Sequence, residues 1–132
     1  FTNSVEAPTA TACTNAEEIL KFQWLTRQVP VSESVNRYAV NLVRATRPSD
    51  PLATDKVRQY VKFGASVRAT MSITLAAKAR ALLQGRYHVS HEDVKAIAPA
   101  VLRHRMLVNY HAESDGVTVD HVLEQLIAQL AQ

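Results

Sequence analysis

Residues 66–85 read SVRATMSITLAAKARALLQG, and the fold class turns on this stretch. Ser66 stands where an N-cap belongs, because its hydroxyl oxygen can accept a backbone N–H that the first turn leaves unpaired. Gly85 stands where a helix ends in the left-handed conformation. Between them lies an alanine-rich run of good helix formers. Ala69, Ile73, Ala76 and Ala77 share one face, with Leu83 nearby, and side chains this small let a neighbouring helix come close. The chain holds only three glycines, Gly64, Gly85 and Gly116. A β-rich fold or a glycine-rich phosphate loop needs more residues tolerant of positive φ.

Further helices lie on either side. Towards the N-terminus, Val35, Tyr38, Ala39, Leu42 and Val43 follow Ser32 at the spacing of a single helical stripe. Arg44 and Arg47 occupy its last turn, where cations suit the negative end, and Pro48 and Pro51 punctuate the loop from Arg47 to about Thr54. Asp55–Lys62 reads as a short helical or irregular stretch leading to Gly64. Before these, a first helix starts at Asn15 or Thr14, carries Glu17 and Glu18 in its first turn, and stops near Gln28 before Pro30. Residues 1–14 are small and polar and read as a linker from an upstream domain, with residues 15–132 forming one helical domain.

Towards the C-terminus, Ser90 and Asp93 make a near-match to the reciprocal capping box, with Asp where Glu or Gln is usual. Val94, Ile97, Ala98, Val101 and Leu102 continue the apolar period, and Pro99 within it predicts a kink or a break into two short helices. A last helix starts at Thr118 and carries Val119, Val122, Leu123, Leu126, Ile127 and Leu130 as a full stripe. Tyr87–Val89 and Met106–Tyr110 are short enough to be extended and to pair. The expected fold is therefore all-α, a small bundle of about five helices with room for one very short two-stranded β ribbon.

Composition narrows the function. Apolar residues make up 47% of the 132-residue chain, enough for a modest core. The net charge of +3 hides an asymmetry: residues 37–86 carry ten Lys and Arg against Asp50 and Asp55, a net of +8, and the flanks are acidic. A basic middle suits an anionic partner, and a solvated basic surface accounts for it equally well. Cys13 is the sole cysteine, so no internal disulfide forms, and a reducing, cytoplasmic setting is expected. No apolar run approaches the roughly 18 residues that span a bilayer, and residues 1–14 lack the pattern of a secretory signal. No membrane partner is expected. The five histidines, His88, His91, His104, His111 and His121, match no metal-ligand spacing, so no metal site is expected. No serine lies in a glycine-flanked nucleophile elbow, and the acid pairs Glu17/Glu18 and Glu92/Asp93 fall in first turns, where the helix dipole explains them.

Arg68 is less easily explained. A cation in the first turn of a helix is unfavourable by a few tenths to about 1 kcal/mol. A bound anion would offset that cost, with the guanidinium and the helix end acting together. On the residues alone, an exposed and hydrated arginine accounts for the position as well.

The stretches Phe63-Gly64-Ala65-Ser66-Val67-Arg68-Ala69, Ala76-Ala77-Lys78-Ala79, Gly85-Arg86-Tyr87-His88-Val89, Glu92-Asp93-Val94-Lys95 and Val101-Leu102-Arg103-His104-Arg105 together resemble the C-terminal lid of MoxR-type AAA+ ATPases. Upstream, Ala16–Leu20, Arg27–Val31 and Val43–Arg47 look similar too, so that the likeness covers about residues 15–130. Each motif is modest, and their order and spacing are specific. The resemblance implies a helical lid that packs over the nucleotide held by an upstream α/β core. It also implies that Arg68 is the sensor-2 arginine that reaches the ATP γ-phosphate, a catalytic and nucleotide-binding role exercised only with that core. The family usually has proline where Val67 stands, and proline would pre-organise the first turn.

No Walker A stretch and no Walker B acid cluster occur in the chain. The fragment is therefore expected not to be an enzyme by itself and not to bind ATP tightly, the parent protein being the ATPase, with ATP and Mg as its cofactors. The resemblance further implies neighbouring subunits of a ring, chaperone-like maturation or remodelling of protein complexes, and von Willebrand A-domain partners. Two other readings compete: a helical nucleic-acid-binding module and a purely structural helical adaptor. The alanine-rich helix offers few side chains to read bases, which counts against the first. Salt-dependent DNA binding would favour it; inertness toward both DNA and an ATPase core would favour the second.

Overall fold

The computed structural model describes residues 11–130. Most of the expected linker, residues 1–10, and the last two residues of the expected helical domain lie outside the described residues. Seven α-helices run in the order α1 (Ala16–Gln28), α2 (Glu33–Ala45), α3 (Asp55–Tyr60), α4 (Val67–Leu83), α5 (His91–Leu102), α6 (Tyr110–Ser114) and α7 (Val119–Leu130). Five are the expected long helices, while α3 and α6 are single short turns. Two short strands, β1 (Val61–Phe63) and β2 (Leu107–Val108), form the ribbon.

Local chemistry explains the boundaries. Asn15 Oδ1 accepts the Glu18 N–H at 2.9 Å, and the Glu18 carboxylate accepts from the Asn15 N–H, a complete capping box. Ser90 and Asp93 make the same box at the start of α5. Thr54 caps α3 by accepting the Val57 N–H at 3.2 Å. α4 ends at Gly85, whose φ of 69° is the left-handed region that glycine adopts without strain. The Gly85 N–H donates to Leu82 O and the Arg86 N–H to Ala81 O, each at 2.9 Å, closing a Schellman turn.

α4 packs against α1, α2 and α5, and α7 against α2, α3 and α5. The inward row of α4 is Ala69, Ile73, Ala77 and Ala81, spaced by four and completely buried. Three alanines in that row let α2 and α5 approach the α4 backbone. Leu42 and Val43 of α2, Val94 and Leu102 of α5, and Leu123 and Leu126 of α7 are among the largest fully buried side chains around it, with Val57, Tyr60 and Met106 among the others that complete the core. Those named on α2, α5 and α7 belong to stripes expected from the sequence.

Four local expectations are corrected. Leu83 is 88% exposed, because the inward row steps by four residues to Ala81 and carries Leu83 past the interface. Ser66 has the extended backbone of an N-cap, but its side chain makes no capping hydrogen bond; its carbonyl accepts the Ala69 N–H at 2.9 Å instead. Of the kink or break expected at Pro99, the break does not occur: α5 runs continuously to Leu102 and tightens into a 3-10 turn at Arg103–Arg105. Burial of Ala98 and Leu102 on either side holds the helix together with one hydrogen bond missing. Finally, the ribbon pairs Leu107–Val108 with Val61–Phe63, not with Tyr87–Val89. Val61 turns inward and Asn109 fastens the end, its N–H donating to Tyr60 O at 2.8 Å and its side-chain amide to Gln59 O at 2.6 Å. The Val89 N–H is spent on Pro30 O at 3.3 Å.

Candidate functional site

The segment before α4 is fastened to the end of α2. Thr46, completely buried, donates its hydroxyl to Val43 O at 2.7 Å and accepts the Ala65 N–H at 2.9 Å. The next residue, Arg47, donates from Nε to Ala65 O at 3.0 Å. Both polar groups of Ala65 are thus taken by two consecutive residues of a different element. Gly64 makes the approach sterically feasible: a Cβ there would overlap the Thr46 carbonyl oxygen and lie 2.8 Å from Arg47 Cα.

This clamp fixes where α4 begins, and Arg68 follows in its first turn. Arg68 is exposed, and no acidic side chain among the described residues pairs with it. The first turn of α4 contains no acid at all, unlike those of α1, α2, α3 and α5. A 17-residue helix therefore presents its positive end together with an unneutralised guanidinium and a second arginine, Arg47, which is distant in the chain and hydrogen-bonded to the entry residue Ala65. Chemically this suits a multiply charged anion approaching from outside. Val67, where proline would stiffen the entry, is 68% exposed; the clamp on Ala65 fixes that entry instead.

The other candidates do not converge. Among the described residues no group of three His, Cys, Asp or Glu could hold a metal ion. His91 packs edge-on against Tyr38 with ring centroids 5.3 Å apart, and His104 Nε2 lies 2.7 Å from Arg105. Cys13 is exposed and unpaired. No helix of the described residues is long and apolar enough to cross a membrane.

Sequence reasoning missed two features. The first is the burial of Asp93, read from the sequence only as a capping-box partner and first-turn acid. Its side chain is completely buried and accepts from Arg80 Nη1 at 2.6 Å, Arg86 Nη2 at 2.5 Å, Arg86 Nη1 at 2.7 Å, and the Ser90 hydroxyl and N–H at 2.9 Å each. The Arg86 guanidinium, with help from Ser90 and Arg80, holds the carboxyl well below the usual carboxylate range, against the opposing pull of burial. Two arginines flanking the Gly85 turn, with an acid at the third position of the next helix, were the available signal. The second is α1, which has no buried residue: Leu20, Phe22 and Trp24 are each more than 60% exposed. A shallow groove of about 500 Å³ runs between α1 and α4, lined in part by Phe22, Leu25, Leu83 and Tyr87.

Comparison with known proteins places this geometry in a family. Residues 54–126 match the model of the AAA lid domain, a span that includes α3 to α6, most of α7 and the whole Arg68 end of α4. Chaperone MoxR1 of Mycobacterium tuberculosis is 33% identical over 127 residues, covering 96% of this chain and 34% of the relative. The uncharacterized protein YeaC of Bacillus subtilis is 27% identical over 112 residues, covering 85% of this chain and 32% of the relative. A crystal structure described as that of a candidate ATPase from Cytophaga hutchinsonii superposes with a TM-score of 0.79 at 33% identity, covering 85% of this chain and 34% of that one. The chain spans about a third of the length of the relatives it matches. With an all-helical body, one short ribbon and this spread of matches, the chain belongs to the AAA lid domain family and is a helical lid of the MoxR type.

Proposed function

We propose that this lid closes over ATP bound by an α/β core elsewhere in its protein, and that Arg68 reaches the terminal phosphate as the sensor-2 residue of a chaperone-like ATPase. The observation that carries the reading is Arg68 itself: exposed, without an acidic partner among the described residues, and aimed from the positive end of a helix whose first turn has no acid. The residues present fit a phosphate, because backbone N–H donors and the guanidinium converge in sign at one place. The Mg that accompanies ATP would be held by the core, since the lid brings no carboxylate to this helix end. A terminal phosphate departs on hydrolysis, so a cation on a separate body is drawn in by ATP and released afterwards. A charge-assisted contact of this kind is worth roughly 1.5–3 kcal/mol, and arginines that stabilise a transferring phosphoryl group matter more for rate. The proposal extends, through the resemblance to MoxR-type ATPases, to a ring of cytoplasmic subunits that remodels or matures protein complexes, with von Willebrand A-domain proteins as partners.

The test is ATP turnover and ATP-versus-ADP affinity of the full-length protein. Arg68→Ala should lower turnover by roughly 10-fold or more, the loss of one charge-assisted contact. Arg68→Lys should recover only part of it, because an ammonium lacks the planar fork. Wild-type values in both variants would make Arg68 an ordinary surface residue.

A further inference from the structure

We propose that Arg47 is the positioning residue for Arg68, an inference that rests on the reading of Arg68 given above. Three observations converge. The Ala65 peptide groups are held by Thr46 Oγ1 at 2.9 Å and Arg47 Nε at 3.0 Å, so the direction in which α4 leaves its entry loop is set by residues 18 and 19 positions earlier in the chain. Gly64 lies so close that no side chain fits between the two segments. Arg47 is half-buried and makes no salt bridge with the described residues, although Arg44, one turn earlier, is paired with Asp50 at 2.9 Å.

The choice of arginine is informative. A neutral donor could tie down the Ala65 carbonyl equally well. A guanidinium there adds a second cation near the positive end of α4, shared only at a distance with the Asp50 carboxylate that pairs with Arg44, and the helix dipole disfavours it. Arg47 holds the entry loop so that Arg68 meets the phosphate in one orientation, and lysine cannot copy the contact, because it has a methylene where the Arg47 Nε donor stands. Arg47 acts through Arg68 and does not touch the nucleotide.

The measurement is a double-mutant cycle on ATP turnover in the full-length protein, with Arg47→Ala, Arg68→Ala and the double variant, each accompanied by a melting curve. Arg47→Ala should lower kcat/KM by roughly 3- to 10-fold and shift the ATP-versus-ADP affinity in the same direction as Arg68→Ala, and the double variant should be no slower than Arg68→Ala. Arg47→Lys should stay nearer Arg47→Ala than wild type. If Arg68→Ala is wild-type, the Arg68 reading fails and this inference with it. If Arg68→Ala is slow and Arg47→Ala is wild-type, the positioning role alone is overturned. Additive losses in the double variant would also overturn it, because Arg47 would then act on the whole lid and not through Arg68.

Discussion

Replacing Asp93 with asparagine changes almost nothing in volume but removes one charge and turns an amide donor toward groups that themselves donate, so it probes both the charge and the hydrogen bonding at the far end of α4. The carboxylate is completely buried and accepts five hydrogen bonds, three of them from Arg80 and Arg86. Breaking a buried pair by removing one partner costs about 3–5 kcal/mol. Here the two arginines keep 31% of their side-chain surface in water and can be partly rehydrated. The expected loss therefore falls at the low end, about 3 kcal/mol, and is read as a drop in urea-unfolding free energy with an unchanged denaturant slope. The pH dependence is a sharper check. The Asp93 carboxyl is depressed in the folded state, chiefly by Arg86. A depressed carboxylate contributes stability that is complete above its unfolded value and is lost as pH falls toward the folded one. Asparagine does not titrate, so the gap between wild type and Asp93→Asn should be constant from neutral pH down to about pH 5 and should narrow below about pH 4. A gap smaller than about 1 kcal/mol at neutral pH, or one that stays level in acid, would refute the reasoning.

Gly64→Ala should destabilise the chain by about 2–3 kcal/mol, because its Cβ meets Thr46 and Arg47 backbone, not a flexible side-chain tip; a melting curve matching wild type would show that the two segments separate easily. Ser66→Ala should cost less than about 0.5 kcal/mol, since its hydroxyl makes no capping bond, and a loss of about 1 kcal/mol by chemical denaturation would mean that the cap forms in solution.

Local patterns were legible in the sequence, and distant pairings were not. The stripes of α2, α5 and α7, the Asn15 and Ser90 caps and the Gly85 stop are decided within a few residues of themselves, and all appear where the spacing puts them. The partner of Leu107–Val108 is more than 40 positions away at Val61–Phe63, and Tyr87–Val89 resembled it equally well in composition. Ser66 shows that a residue can have cap backbone without cap chemistry. At the candidate site, Arg68 stood out because it opposes the helix dipole. Thr46 and Arg47 gave no such sign: a threonine and an arginine at a helix end are ordinary there, and only the folded chain brings them to Ala65. The burial of Asp93 was hidden for the same reason, since its arginines precede it by 7 and 13 residues.

The spacing of the two polar clusters gives α4 mechanical properties. Its 17 residues make a rod about 25 Å long at 1.5 Å per residue, held near one end by the Ala65 clamp and near the other by the Asp93 cluster, with alanines along its inner side that leave little slack. Packed interiors of this kind transmit displacement with little loss. A tilt of the lid as one body by roughly 5° about its Arg68 end would move the Gly85 end by about 2 Å, which is comparable to the helix shifts that accompany switching at subunit interfaces. Leu83 and Tyr87, 88% and 77% exposed, ride on that far end. On the role proposed for Arg68, whatever surface they touch would feel the state of a phosphate some 25 Å away through the stiffness of a single helix.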